Sequence, residues 1–337
     1  MAMNKEALFY EKTFKGIRCH ICPHECLIPE GKSGYCRTRV NNNGVLYTIA
    51  YGNPCAASVD PVEKKPLFHF LPASQCFSIA TAGCNLSCLN CQNWEISSKS
   101  PDETINMNLL PEKVVDRCIK MGCSSIAYTY TEPITYYEYT YDTAVIAHEH
   151  GIRNIMVSAG YINREPLLKL CKVIDAANID LKSFSNEIYL KLNGVKLNPV
   201  LDTLKTLKDE GVWLEITNLL IPSWNDDMDM VKRMCHWLFE NGFEDTPLHF
   251  SRFFPMYKLS QLPPTPIAAL KTARKIAMNE GLKYVYAGNA PELDMENTIC
   301  PHCHRNLIRR RGYRILENHI KQGQCEFCGE KIAGIWR

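Results

Sequence analysis

Residues 81–94, TAGCNLSCLNCQNW, place Cys84, Cys88 and Cys91 at gaps of three and then two residues. Three thiolates in so short a run can hold three irons of a 4Fe–4S cube and leave the fourth iron open to an outside ligand. An open coordination position separates reactive metal sites from closed structural ones, which take four protein ligands. The alternative is a structural zinc or cluster whose fourth ligand comes from elsewhere in the chain.

Two other cysteine groups flank this run. Cys19, Cys22, Cys26 and Cys36 form C-x2-C-x3-C-x9-C, with His20 and His24 interleaved. Four soft ligands so close together point to zinc or to a second iron–sulfur cluster able to relay electrons, with a structural zinc the preferred reading. The neighbouring GKSG at Gly31–Gly34 is not a phosphate loop, because Cys26 stands where that motif needs its first glycine. Near the C-terminus, Cys300-Pro-His-Cys303 and Cys325-Glu-Phe-Cys328 are two knuckles with 21 residues between them, a zinc-ribbon pattern with Gly329 after the second turn. Arg305, Arg309, Arg310, Arg311 and Arg314 crowd the hairpin between them. With Tyr313 the one aromatic interleaved, this reads as a solvated hairpin rather than a nucleic-acid surface.

Seventeen cysteines in 337 residues, of which these eleven are grouped, fit a reducing compartment where clustered thiols bind metal. Cys55, Cys76, Cys118, Cys123, Cys171 and Cys235 are scattered and read as small buried apolar residues. No stretch resembles a signal peptide or membrane span, so a cytoplasmic protein is expected. Hydrophobic content of 46%, charged content of 22% and a net charge of +2 are ordinary for a globular chain and make no case for a polyanionic partner.

Short β-rich runs must position the cysteine loop. They are residues 76–83, 124–131, 153–160, 176–183, 212–221 and 248–254, with a seventh at 283–288. Each is apolar and partly β-branched, as strands buried on both faces are. Helical patterns lie between them, among them PEKVVDRCIKMG and NPVLDTLKTLKDEG, each with Pro near its start and Gly at its exit. Strand–helix alternation predicts an α/β fold of parallel strands, a partial or full (β/α) barrel over residues 76–290. An N-terminal cysteine-rich domain (1–75) precedes it and a zinc ribbon (291–337) follows. No dinucleotide-type glycine fingerprint follows the first strand, which disfavours an open Rossmann-like sheet. In such barrels chemistry sits at the C-terminal strand ends, where the cysteine loop and later polar residues fall.

C-x3-C-x2-C after a first barrel strand resembles the radical S-adenosylmethionine (SAM) superfamily. That resemblance implies a 4Fe–4S cluster whose open iron binds SAM and whose electron cleaves it to methionine and a 5′-deoxyadenosyl radical. Asn90 stands where an aromatic usually precedes the third cysteine. Thr131-Glu132-Pro133 resembles the Gly-Gly-Glu-Pro element of glycyl-radical activases, with Tyr130 and Thr131 in place of both glycines. Ser158, Asp180 and Lys182 match further activase positions, implying contacts to SAM. Asn218 is a polar candidate, His249 matches a histidine stacked near the adenine, and Arg252 is a candidate anchor for substrate or a phosphate-type group. Glu215 stands where activases commonly have Arg.

The whole chain resembles the radical SAM component of the AmmeMemoRadiSam system, through CHICPHEC, DPVEKKPLFHFLP, YTEP, DLKS, YAGN and CEFCGEKIAGIW. This implies Memo-like and AMME-candidate-like partner proteins and reduced ferredoxin or flavodoxin as electron donor. Hydrogen abstraction from an unidentified substrate is the first functional reading. An activase acting on a partner protein and a non-catalytic metal-binding or nucleic-acid-binding scaffold are the alternatives.

Overall fold

A computed structural model describes residues 5–290 and 294–337. The expected boundary between the second and third segments, at residue 291, lies outside the described residues.

Eight strands carry the fold: β1 (Ala56–Pro61), β2 (Gln75–Ala80), β3 (Ser125–Tyr128), β4 (Arg153–Ser158), β5 (Ala176–Asp180), β6 (Trp213–Leu220), β7 (Leu248–Arg252) and β8 (Val285–Gly288). They neighbour one another in the order β8-β7-β6-β5-β4-β3-β2-β1. Pairs β2/β3, β3/β4, β6/β7 and β7/β8 are parallel. The order is sequential and has no switch point, unlike that of a doubly wound sheet.

Helices α1 (Pro111–Lys120), α2 (Tyr137–Glu149), α3 (Arg164–Cys171), α4 (Asn198–Asp209), α5 (Met228–Glu240) and α6 (Ile267–Asn279) supply the crossovers. In α1 the buried residues Val114, Val115 and Cys118 recur at helical spacing, so one apolar stripe packs inward. Pro111 opens the helix where its missing N–H costs nothing. All seven expected strands are present. The eighth, β1, was not anticipated.

The residues fall into two compact units that cut across the three cysteine-defined segments. The first comprises residues 1–60, 75–177 and 192–212, so the N-terminal cysteine segment shares a unit with the cysteine loop and with β2 to β4. Its N-terminal part contributes small antiparallel sheets, including the hairpin Tyr10–Thr13 with Gly16–Cys19. The second comprises residues 61–74, 178–191 and 213–337. There the C-terminal cysteine segment shares one hydrophobic cluster, including Phe68, Tyr284, Tyr286, Leu307 and Ile332, with the residues around β8. Among the described residues no helix is long and apolar enough to cross a membrane.

Candidate metal centre and strand-end site

In the first unit, Cys84, Cys88 and Cys91 lie in the loop that leaves the C-terminal end of β2. Each sulfur has a polar neighbour. The Leu86 amide donates to Cys84 Sγ at 3.4 Å, Asn193 Nδ2 donates to Cys88 Sγ at 3.2 Å, and the Ser97 hydroxyl lies 3.2 Å from Cys91 Sγ. Donors aimed at sulfur stabilise thiolate and set the potential of a cluster held there. Burial, and then the Glu132 carboxylate, pushes the Cys84 thiol well above its ordinary pKa. A thiolate there needs a cation beside it, which cluster iron supplies. The donor set therefore fits a three-thiolate cluster. Sequence reasoning missed Asn193 and Ser97, since neither belongs to the cysteine pattern.

The loop is docked through its own backbone. Ser87 and Leu89 amides donate to the carbonyls of Asn193 and Leu192 at 2.9 Å. Asn93 Nδ2 donates to the Tyr130 carbonyl at 2.6 Å, tying the loop to the end of β3. Tyr130 has φ +64°, the left-handed conformation that a glycine would adopt without strain. Its hydroxyl is hydrogen-bonded to Asp60 and lies 2.9 Å from Ser58 Oγ, contacts that a glycine would lack.

Glu132 is the centre of the strand-end group in this unit. It is buried, and its carboxylate accepts from Ser158 Oγ at 2.5 Å and from the Ala159 amide at 2.8 Å. Ser158 in turn accepts from the Gly160 amide at 2.9 Å. The ends of β3 and β4 thus fix a buried carboxylate close enough to the cysteine loop to raise the Cys84 thiol. The Ile134 amide also donates to Glu132 Oε1, at 3.5 Å, and a buried carboxylate favours a cationic partner.

The second unit holds the remaining expected residues. Lys182 Nζ pairs with Asp180 at 2.8 Å beyond the end of β5. Asn218 donates through Nδ2 to the Leu181 carbonyl at 2.6 Å, while its buried Oδ1 has no donor among the described residues. Arg252, at the C-terminal end of β7, donates to the Thr265 carbonyl at 2.9 Å and lies over the Phe254 ring.

His249 is the second residue of β7 and is buried. Its Nε2 lies 2.6 Å from Glu215 and its ring stacks on Tyr286, with Phe68 edge-on, so its contacts are internal. Glu215 explains the arrangement. Besides meeting His249, it accepts the amides of Phe68 at 2.9 Å and His69 at 2.7 Å, and Trp213 Nε1 at 3.1 Å. Burial alone would raise its pKa. Hydrogen bonding and charge from His249, then His69, outweigh burial and hold Glu215 below the ordinary carboxylate value.

Cys300, Cys303, Cys325 and Cys328 bring four sulfurs within 4.8 Å of one another. Cys300 to Cys328 and Cys303 to Cys325 are each 3.7 Å apart. Tetrahedral Zn–S bonds of about 2.3 Å require sulfurs about 3.8 Å apart, so this set fits a single zinc ion. The basic hairpin is less exposed than its composition suggests. Arg310 is buried, donates to the carbonyls of Glu296 and Phe68 at 3.0 and 2.9 Å, and covers the Phe68 ring.

Comparison with known proteins agrees with this geometry. The Radical SAM superfamily model matches residues 78–235, which include the cysteine loop, Glu132, Ser158, Asp180, Lys182 and Asn218. An uncharacterized protein of Methanocaldococcus jannaschii, MJ0808, is 49% identical over 331 residues, covering 97% of this chain and 98% of that protein. Pyruvate formate-lyase 1-activating enzyme of Escherichia coli K12 is 27% identical over 164 residues, 48% of this chain and 67% of the enzyme. Streptococcus suis SuiB, solved with its precursor peptide SuiA, shares the fold at a TM-score of 0.50 and 14% identity, over 68% of this chain and 51% of that one.

Proposed function

The chain belongs to the radical SAM superfamily and is an enzyme of that type, and on that premise we propose that it reductively cleaves SAM to abstract hydrogen from a substrate. When bound, the cluster supplies the electron that breaks the sulfonium bond. The chain's own residues place the reactants. Cys84, Cys88 and Cys91 hold three irons, and Leu86, Asn193 and Ser97 support their sulfurs. Glu132, held by Ser158 and Ala159, receives the SAM amino group. Asp180, Lys182, Asn218, His249 and Arg252 are proposed as further contacts to SAM or substrate.

The observation that carries this reading is the pairing, in one unit, of a three-thiol loop with a buried, preorganised carboxylate. Its test is anaerobic. The reconstituted, reduced protein should form 5′-deoxyadenosine from SAM, and a Cys84/Cys88/Cys91→Ala variant should form none. No product from an intact chain with a loaded cluster, across added donors and partners, would favour the scaffold reading.

Similarity to a pyruvate formate-lyase activating enzyme supports a second reading, action on a partner protein. Deoxyadenosine formed only when a glycyl-radical partner is supplied would favour it. The chain-wide motifs support placement in the AmmeMemoRadiSam group, with Memo-like and AMME-candidate-like partners and a ferredoxin or flavodoxin donor. The four C-terminal cysteines are proposed to bind structural zinc.

A further inference from the structure

We propose that Arg37 supplies a fixed positive charge to the cysteine loop from outside the ligand set, as a positioning residue that eases reduction of a cluster held there. The residues on either side of it form a strap across the base of the loop. Entrance and exit of the loop meet at that base, since the Gly83 amide donates to the Ile96 carbonyl at 3.0 Å. Thr38 and Cys36, the last of the N-terminal quartet Cys19, Cys22, Cys26 and Cys36, close over the entrance. A Cβ on Gly83 would lie 2.6 Å from the Cys36 carbonyl oxygen and 2.5 Å from Thr38 Cγ2. Thr38 is buried, and its hydroxyl donates to the Thr135 carbonyl at 2.7 Å. Arg37, between the two, reaches the exit, where its Nη1 lies 3.5 Å from the Ser97 carbonyl oxygen. Ser97 is the residue whose hydroxyl lies 3.2 Å from Cys91 Sγ. A single residue therefore stands between the guanidinium and a ligand sulfur.

Two features set Arg37 apart from an arginine that only covers surface. The first is charge balance. Arg39, two residues on, is fully buried and neutralised by Glu138. Arg37 is half-buried, and among the described residues no carboxylate pairs with it. The second is its backbone. Arg37 has φ +66°, a left-handed conformation that costs any residue with a Cβ and that glycine adopts freely. Strain of this kind persists only where the surroundings over-determine it, and it gathers at functional sites. Here the Arg37 amide donates to the Gly34 carbonyl at 2.9 Å and the Gly34 amide to the Arg39 carbonyl at 2.8 Å. The turn thus aims an unneutralised cation at the loop. Reduction adds one negative charge to a cluster, so a nearby cation stabilises the reduced state more than the oxidised one. With a separation on the order of 10 Å, an effective dielectric of about 20 and partial solvent screening, one charge shifts the reduction equilibrium about five- to tenfold. The role of Arg37 rests on the radical SAM reading only in taking the occupant of Cys84, Cys88 and Cys91 to be an iron–sulfur cluster.

The test is an anaerobic redox titration of the reconstituted full chain without SAM, followed by electron paramagnetic resonance of the reduced 4Fe–4S signal. The Cys84/Cys88/Cys91→Ala variant is the blank, and any signal it keeps belongs to another site and is subtracted. Arg37→Gln and Arg37→Gly should each make reduction about five- to tenfold less favourable, a drop of about 40–60 mV at about 59 mV per tenfold. Arg37→Lys keeps the charge and should recover most of that drop. The glycine variant is freed of the left-handed strain and should melt no lower than the glutamine variant. The gap between the intact chain and Arg37→Gln should narrow as ionic strength rises. Unchanged potentials in both the glutamine and glycine variants would overturn the proposal. An equal drop in Arg37→Lys would also overturn it, since lost packing rather than lost charge would then be the cause. Failure of the radical SAM reading would show separately, as a loop-dependent cluster whose potential follows the charge at residue 37 in a chain that cleaves no SAM. Loop cysteines that hold no iron would overturn both.

Discussion

Glu132 accepts the Ser158 hydroxyl and the Ala159 amide with one carboxylate, and this sharing determines what a substitution there does. Glu132→Gln keeps an acceptor for one donor but removes the charge that would hold a cationic amino group. The loss of a charge-assisted hydrogen bond, roughly 1.5–3 kcal/mol, should lower deoxyadenosine formation by about 10- to 100-fold. Iron content and melting temperature should change little. A variant as active as the intact chain would remove Glu132 from SAM recognition. Glu132 was legible because its motif survives, whereas Asn193 was not, because it lies 105 residues from the thiol it serves. The pairing of His249 with a buried Glu215 was not legible for a related reason, since a motif position does not reveal the internal partners of its ring.

At the scale of elements, strands buried on both faces declared themselves, as Ser125–Tyr128 does with four buried residues in succession. Strand β1, AASVDP, escaped notice because Asp60 is its one buried residue and its apolar run is interrupted. Helix α2 begins with Tyr137, Glu138, Tyr139 and Thr140 all buried, which leaves no apolar stripe to read. The docking of the cysteine loop was also hidden, since it depends on a close approach. Gly83 has φ +96°, and a Cβ there would meet Thr38 Cγ2 at 2.5 Å and the Cys36 carbonyl at 2.6 Å. Gly122 has φ +66° but open space around it. Gly122→Ala should therefore cost about 1–2 kcal/mol from backbone conformation alone. Gly83→Ala should add about 1–3 kcal/mol of overpacking and lower the iron retained after reconstitution. Melting curves and iron assays on both would decide it, and equal effects would contradict the close docking of loop and quartet.

At the scale of the whole molecule, cysteine spacing marks out a C-terminal segment, and residues of that segment and of β8 share one hydrophobic cluster within the second unit. A polar chain runs through that unit. Arg310 donates to Thr298 at 2.8 Å, Thr298 meets the Tyr286 hydroxyl at 2.9 Å, and Tyr286 meets His69 Nε2 at 2.5 Å. His69 Nδ1 lies 2.6 Å from the Ala333 carbonyl, which can only accept, so Nδ1 carries the hydrogen and a neutral ring completes the chain. Burial pushes the His69 pKa down to about 4. Glu215 opposes that shift, while Arg310 and His249 add to it. An unfolded histidine titrates near 6.5, so between about pH 6.5 and 4 the unfolded chain holds a proton that the folded chain does not. Stability from this group is therefore complete above about pH 6.5. It falls as pH drops, by about 3 kcal/mol in all once pH nears 4. Glu215, with its lowered pKa, adds a further loss only below about pH 4.3, as pH falls toward its folded value. Urea midpoints from pH 8 to 4 should fall more steeply for the intact chain than for His69→Gln, which is less stable at pH 8 but lacks the titrating group. Parallel slopes would show that His69 is protonated in the folded chain, and the hydrogen-bond direction assigned to the Arg310–Ala333 chain would then be wrong.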